Sequence, residues 1–153
     1  MSGRDVEDRI DGVFAGGPEG FTAARDALVR ELRAAGDREA AARVAALRRP
    51  TRRAAELNVL ARERPREVAA VVAAAEALAV AQGRLVDGSG SADELREAAE
   101  AEARAVAAVS DDEAVRAAVR LAARSPVDRA GLVRGRLMRD PAPDPDAGLF
   151  AGG

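Results

Sequence analysis

The chain has 153 residues and a net charge of −2, and all 24 of its basic residues are arginine. It contains no histidine, cysteine, lysine, tyrosine or tryptophan. These absences exclude disulfide bonds, zinc or haem ligation by histidine or cysteine, Schiff-base chemistry on lysine, and nucleophilic triads with a histidine base. We therefore predict no catalytic residues, no cofactor and no metal site, and a protein that is not an enzyme.

Residues 1–17 are polar and glycine-rich and are predicted to form a flexible N-terminal arm or a short helix. Residues 18–139 are predicted to be a single all-helical domain, and residues 140–153 a disordered tail rich in proline and aspartate. The N-terminus does not resemble a signal peptide, and the longest nearly uncharged stretch, residues 68–81, is too short to span a bilayer. These features predict a cytoplasmic protein without membrane contact.

Apolar residues at helical spacing divide the domain into successive helices. The first predicted helix covers residues 18–36, and the second covers residues 37–49. Pro50 then interrupts the helical pattern. A third helix follows to about residue 64, with Thr51 as its predicted N-cap.

The predicted helix near 66–86 is apolar or alanine on nearly all faces, so we expect it to be central and wrapped by its neighbours. Two helices near 92–109 and 111–124 follow, each preceded by a serine capping box, and then a weaker helix at 127–139. No segment shows the alternation of a β-strand. The sequence therefore predicts an all-α fold: an orthogonal or bundle-like domain of six or seven helices around the helix near 66–86.

Acidic residues are concentrated in residues 87–113, which hold nine acids and two arginines. Glu97 and Glu100 resemble half of the metal motif of all-α nucleotide pyrophosphohydrolases, but no Glu-x-x-Asp follows on a later helix. We interpret the glutamates of residues 92–109 as a solvated helix face. A carboxylate–metal hydrolase that uses Glu97 and Glu100 is the third functional hypothesis.

Basic residues are concentrated in residues 38–66, with nine arginines and three glutamates. Four of them surround Pro50 and form what we call the arginine corner: Arg48, Arg49, Arg52 and Arg53. Arg52 and Arg53 fall in the first turn of a predicted helix, where positive charge is mildly destabilising. The corner is the candidate site for binding a protein or nucleic acid. Two alternatives are docking on the acidic helix near 92–109 and an arginine excess that only reflects a GC-rich genome.

Two side-chain amides lie among the apolar positions of predicted helices. Asn58 lies on or beside the apolar face of the third helix, and Gln82 occupies a core-facing position of the central helix. We predict that each amide bonds a neighbouring helix end or loop carbonyl rather than a ligand.

The pattern of residues 19–66 resembles a family of uncharacterised all-helical proteins of high-GC actinobacteria. The resemblance is carried by Phe21-x-x-Ala24-Arg25-Asp26-x-Leu28, Leu32-Arg33-x-x-Gly36-Asp37, Ala42-x-Val44, Leu47-Arg48-Arg49-Pro50-Thr51 and Leu57-Asn58-x-Leu60-Ala61-Arg62. It implies a helical fold and an actinobacterial origin, and it implies no activity.

The first functional hypothesis is therefore a non-catalytic helical protein–protein interaction or regulatory domain, which binds a protein partner or a second copy of itself through helix faces. The second is a nucleic-acid-associated protein whose arginine corner binds the phosphate backbone. Since the chain lacks tyrosine and tryptophan for base stacking, such binding would have weak sequence preference.

Overall fold

The structure, a computed structural model, describes residues 1–143, and within them it is all-helical with no β-strand. The eight helices are α1 (Gly3–Ala15), α2 (Gly17–Ala34), α3 (Arg38–Ala45), α4 (Arg52–Glu63), α5 (Pro65–Val86), α6 (Ala92–Val109), α7 (Glu113–Arg124) and α8 (Arg129–Arg134). The all-α prediction is confirmed. The helix count exceeds the predicted six or seven because α1 is added at the N-terminus.

Buried apolar side chains of the described residues form two clusters. The N-terminal cluster is built by α1, α2 and α3, and at its centre the rings of Phe14 and Phe21 meet edge to face with centroids 5.2 Å apart. The C-terminal cluster is built by α4 to α8, around fully buried residues that include Leu57, Val71 and Val119. The arginine corner lies where the segment that follows α3, in the first cluster, enters α4, in the second.

Of the two alternatives predicted for residues 1–17, the structure has the helix rather than the flexible arm, because Gly3–Ala15 form α1. Ser2 and Asp5 form a capping box at its start. Four apolar residues on one face of α1 are at most 5% exposed in the N-terminal cluster: Val6, Ile10, Val13 and Phe14. The many glycines and charges of this segment are typical of a flexible chain. The helix is stabilised by the burial of its apolar face against α2, which the local sequence does not show.

α3 ends at Ala45, earlier than predicted. Two tertiary hydrogen bonds take the backbone groups that a longer helix would use. Arg25 Nη1 donates to the carbonyl of Leu47 at 3.1 Å, and the backbone N–H of Arg48 donates to Met138 Sδ at 3.2 Å. The chain therefore leaves the helix before the arginine corner, and Arg48 does not lie at a helix C-terminus.

α8 is shorter than the predicted helix at 127–139, and Gly135 ends it with a φ of +67°. A left-handed C-cap of this kind favours glycine. A Cβ at Gly135 would also lie 3.1 Å from the carbonyl oxygen of Asn58 and 2.9 Å from Arg62 Nη1. Glycine at this position therefore permits both the turn and the close approach of residues 135–140, which we call the C-terminal segment, to α4.

Of the two serine N-caps predicted in the acidic region, the structure confirms one. Ser91 caps α6 and accepts a hydrogen bond from the N–H of Glu94. α7 is capped by Asp112 rather than by Ser110, because the Asp112 carboxylate accepts hydrogen bonds from the N–H groups of Ala114 and Val115. An aspartate at an N-cap serves as well as serine and adds a favourable charge.

α5 packs against α4, α6, α7 and α8 and is the central helix of the C-terminal cluster. It is not wrapped on every side, because Ala69, Ala73, Ala77 and Val80 form an exposed face. Gln82, which was predicted to face the core, is also exposed. Among the described helices, α5 alone has the length and composition of a candidate membrane span. Its most apolar 18-residue window has a mean hydropathy of 1.5 and is 33% buried.

Charged side chains join α1 to the C-terminal segment and so tie the two clusters together. Arg136 is 16% exposed; its Nε donates to the Asp11 carboxylate at 2.5 Å and its Nη1 to the Glu7 carboxylate at 2.8 Å. Arg62 Nη2 donates to the backbone carbonyls of Asp11 at 3.3 Å and Gly135 at 3.1 Å.

These contacts predict a dependence of stability on pH. The hydrogen bond from Arg136 lowers the pKa of Glu7; burial raises the pKa of Asp11, but the hydrogen bonds and charges of Arg136 and Arg134 outweigh it and lower that pKa too. A carboxyl with a depressed folded-state pKa stabilises the fold above its unfolded pKa of about 4, and this contribution is lost as the pH falls through the folded value. We therefore expect the free energy of unfolding to decline from about pH 5 towards pH 2.

The Arg136→Ala variant should make this decline shallower, which urea unfolding at a series of pH values would measure. Arg4→Ala, at an exposed position of α1, is the control and should leave the pH dependence unchanged. If the free energy of unfolding falls equally steeply with pH in Arg136→Ala and in the wild-type protein, the ion pairs of Arg136 are not the source of the pH dependence.

Candidate partner-binding site

The arginine corner is assembled from two kinds of backbone. Arg48 and Arg49 lie in the non-helical segment after α3, whereas Arg52 and Arg53 begin α4. Thr51 caps α4, and its side chain accepts a hydrogen bond from the N–H of residue 54 at 3.1 Å. The predicted N-cap is therefore confirmed, and it places the four arginines around the turn into α4.

The four arginines differ in exposure and pairing. Arg53 is 32% exposed and its Nη1 donates to Glu56 at 2.6 Å, whereas Arg52 is 95% exposed with its Nε 3.6 Å from the same carboxylate. Arg48 and Arg49 are exposed, and neither side chain forms an ion pair with an acidic group in residues 1–143. Glu56 therefore compensates part of the charge at the start of α4 and leaves the preceding pair of arginines open.

The acidic helix α6 does not cover the corner. It packs on α5 and α7, and its acidic side chains that form ion pairs use arginines outside the corner. Within the described residues, the corner's own ion pairs all involve Glu56. The alternative of intramolecular docking between the corner and the helix near 92–109 is therefore wrong.

Glu102 is not part of a solvated face, because it is 2% exposed between α6 and α7. Arg124 donates to both of its carboxylate oxygens, at 2.9 and 2.5 Å, and this hydrogen bonding raises the pKa of Arg124. Arg120 Nε lies 3.2 Å from Glu102 Oε1 but outside hydrogen-bonding geometry. Sequence reasoning missed this buried ion pair because Glu102 has the same residue type as its exposed neighbours.

The carboxylate–metal hypothesis gains no support from the geometry of the described residues. Glu97 and Glu100 are exposed on α6. No group of three or more acidic side chains within residues 1–143 is arranged to hold a metal ion.

Asn58 bonds the C-terminal segment as predicted. It is 2% exposed; its Nδ2 donates to the carbonyl of Leu137 at 2.9 Å, and its Oδ1 accepts from the N–H of Leu137 at 2.8 Å. The N–H of Thr51 donates to the carbonyl of Met138 at 3.1 Å, and the Thr51 hydroxyl donates to the carboxylate of Asp140. These bonds hold residues 137–140 along α4. The rest of the predicted tail, residues 144–153, lies outside the described residues.

Three open clefts border the corner. The first, of about 600 Å³, has apolar walls that include Pro18, Pro50 and Val59 and is also lined by Arg49 and Arg52. The second, of about 660 Å³, is more polar; its lining includes Arg52, Arg53, Asp112 and Asp140. The third, of about 520 Å³, lies between the corner and the C-terminal segment, and we call it the Met138 groove. Its lining includes Arg48, Arg49, Val127, Gly131, Leu137 and Met138.

The clefts show that the corner is part of a larger surface than the sequence indicated. Arg48 and Met138, which share a hydrogen bond, lie 90 positions apart along the chain. No sequence pattern in the corner or in residues 127–139 predicts that the two are in contact. Their proximity follows from the packing of α8 against α4.

Comparison with known protein families, characterised proteins and solved structures found no match to this chain. The resemblance over residues 19–66 therefore stays a prediction.

Proposed function

We propose that this chain is a cytoplasmic, non-catalytic protein–protein interaction or regulatory domain whose arginine corner binds an acidic segment of a protein partner. The observation that carries the proposal is the exposure of Arg48 and Arg49 without an acidic partner in the described residues. A guanidinium offers a planar fork of donors that matches a carboxylate, so adjacent unpaired arginines favour an acidic ligand. Charge complementarity of this kind gives specificity and a fast association rate.

The charges around the corner favour a protein partner over nucleic acid. Glu56 pairs with Arg52 and Arg53, while Asp112 and Asp140 line the same cleft, so acidic groups interrupt the basic surface. Binding to a phosphate backbone relies on several arginines or lysines that neutralise successive phosphates. Two open arginines can pair with one or two carboxylates of a short acidic segment, whereas a phosphate backbone needs a longer run of positive charges.

The double variant Arg48→Glu/Arg49→Glu tests the proposal. With a fluorescein-labelled polyglutamate peptide as probe, we expect binding that weakens with added salt and falls by about tenfold or more in the variant. Both side chains are exposed, so the stability of the variant should stay within about 0.5 kcal/mol of the wild-type protein. Fluorescence anisotropy measures the affinity, and urea unfolding measures the stability.

The matched control is Arg30→Glu/Arg104→Glu, which changes the net charge equally at exposed positions of α2 and α6. It should retain the wild-type affinity. An equal loss in the control would show that binding follows net charge rather than the corner. Tighter binding of a labelled DNA or RNA oligonucleotide than of the peptide, lost in Arg48→Glu/Arg49→Glu, would overturn the proposal in favour of the nucleic-acid hypothesis.

A further inference from the structure

The Met138 groove places exposed apolar side chains next to the open pair of arginines. Val127 is 78% exposed and Met138 is 37% exposed, and both line the groove together with the buried Leu137. Arg48 and Arg49 line the same groove. A surface of this kind offers an apolar contact and two positive charges at one place.

Hydrogen bonds to the main chain build one side of the groove. Asn58 holds Leu137 through two hydrogen bonds, and the N–H of Thr51 donates to the carbonyl of Met138 at 3.1 Å. The Met138 sulfur accepts from the N–H of Arg48 at 3.2 Å. Because these bonds exist before any ligand arrives, the groove is preorganised, which reduces the entropy that a ligand must lose on binding.

Arg48 and Arg49 are the charged residues of the groove that form no ion pair within the described residues. Asp128, an acid that is 6% exposed, accepts a hydrogen bond from Arg139 at 3.4 Å. Arg136 is held by the carboxylates of α1. Asp128 and Arg136 are therefore neutralised within the protein, and Arg139 is paired but 65% exposed. Arg48 and Arg49 have no such pair and are the groups best placed to bind a ligand.

We propose that the Met138 groove binds a bulky apolar side chain, leucine or phenylalanine, from an extended acidic segment of a protein partner, while neighbouring carboxylates of that segment pair with Arg48 and Arg49. This inference rests on the proposed function and specifies the chemistry of the partner. An acid alone would leave Val127 and Met138 in water, and an apolar segment alone would leave the two guanidiniums unpaired. A segment that carries both kinds of side chain satisfies both parts of the surface.

Two labelled peptides of equal charge separate the apolar contribution from the ionic one. The first is an acidic peptide with a central Leu-Phe pair, and the second has Ser-Ser in its place. We expect the full-length protein to bind the Leu-Phe peptide about tenfold more tightly. Raising the salt to about 0.5 M should weaken the ionic contribution in both peptides and preserve the ratio of affinities.

The variant Val127→Ser tests the position of the apolar contact. Val127 is mostly exposed, so the substitution should leave the fold intact while it weakens Leu-Phe peptide binding by about threefold or more and leaves Ser-Ser peptide binding unchanged. Val86→Ser is the matched control, since Val86 is 89% exposed at the end of α5. NMR shifts of the Met138 methyl group and the Gly131 amide on adding the Leu-Phe peptide give an independent readout of location.

The outcomes distinguish this inference from the proposed function. If the two peptides bind equally and both lose binding in Arg48→Glu/Arg49→Glu, the proposal for the Met138 groove is overturned and the acidic-partner proposal stands. If the Leu-Phe peptide is preferred but Val127→Ser has no effect, and NMR shifts appear around Pro18 and Val59, the apolar contact lies in the first cleft. That result would also overturn the proposal for the Met138 groove. Failure of both peptides to bind at low salt would overturn both proposals.

Discussion

Replacing Asn58 with alanine is expected to lower the free energy of unfolding by about 3 kcal/mol, since a buried polar group that loses its partner costs about 1–3 kcal/mol. The amide is 2% exposed and satisfies both the N–H and the carbonyl of Leu137. Alanine would leave both backbone groups buried without a partner. It would also remove the bonds that hold Leu137 against α4.

Urea unfolding of Asn58→Ala and Val59→Ala measures this effect with a matched control. Val59 is the next residue of α4 and is 50% exposed, so its truncation should change the stability by no more than about 0.5 kcal/mol. Hydrogen exchange of the Leu137 amide should also accelerate in Asn58→Ala, because its acceptor has been removed. A loss below about 0.5 kcal/mol in Asn58→Ala would contradict the role assigned to the two hydrogen bonds.

The same variant connects stability to the proposed binding surface. Leu137 and Met138 line the Met138 groove, and the pair of bonds to Asn58 is one of the contacts that hold them there. In Asn58→Ala, the preference for the Leu-Phe peptide over the Ser-Ser peptide should therefore shrink. Binding of the Ser-Ser peptide should change less, because Arg48 and Arg49 lie on the other segment of the surface.

Replacing Glu102 with alanine is expected to lower the free energy of unfolding by about 2 kcal/mol. Removal of one partner from a buried ion pair costs about 3–5 kcal/mol when the other charge stays buried. Here the side chains of Arg120 and Arg124 are 40% and 51% exposed, so both guanidiniums regain water when the carboxylate is absent. The expected loss is therefore below that range, and it includes the apolar contacts of the glutamate stem.

Glu100→Ala and Glu102→Leu are the controls for this prediction. Glu100 is exposed on the same helix, and its replacement should change the stability by no more than about 0.5 kcal/mol. Leucine at position 102 fills the buried space without a charge, and it should recover most of the loss, to within about 1 kcal/mol of the wild-type protein. Equal effects of Glu102→Ala and Glu100→Ala in urea unfolding would show that the ion pair contributes nothing.

The features that the sequence predicts correctly depend on short stretches of chain. The spacing of apolar residues identifies α2 and α4 to α7, because a helix face repeats every few residues. Thr51 and Ser91 cap the helices that follow them, since a cap bonds an N–H group two or three residues later. The prediction for Asn58 also succeeds, because a polar side chain among apolar neighbours must find a hydrogen-bond partner.

The features that only the tertiary structure determines involve groups far apart in the chain. α1 is stable where its apolar face meets α2, and α3 ends early because Arg25 and Met138 bond the chain beyond it. Glu102 and Glu100 lie on different faces of the same helix. Glu102 is therefore buried in an ion pair, whereas Glu100 is exposed to water.

The arginine corner combines both kinds of information. Composition and spacing locate Arg48, Arg49, Arg52 and Arg53, and helix electrostatics mark two of them as unfavourable at a helix start. Their exposure depends on where α6 packs, and the apolar groove beside them depends on where residues 137–138 lie. A sequence pattern reports which charges are close along the chain, whereas the packing of helices decides which charges meet an opposite charge and which stay open to a partner.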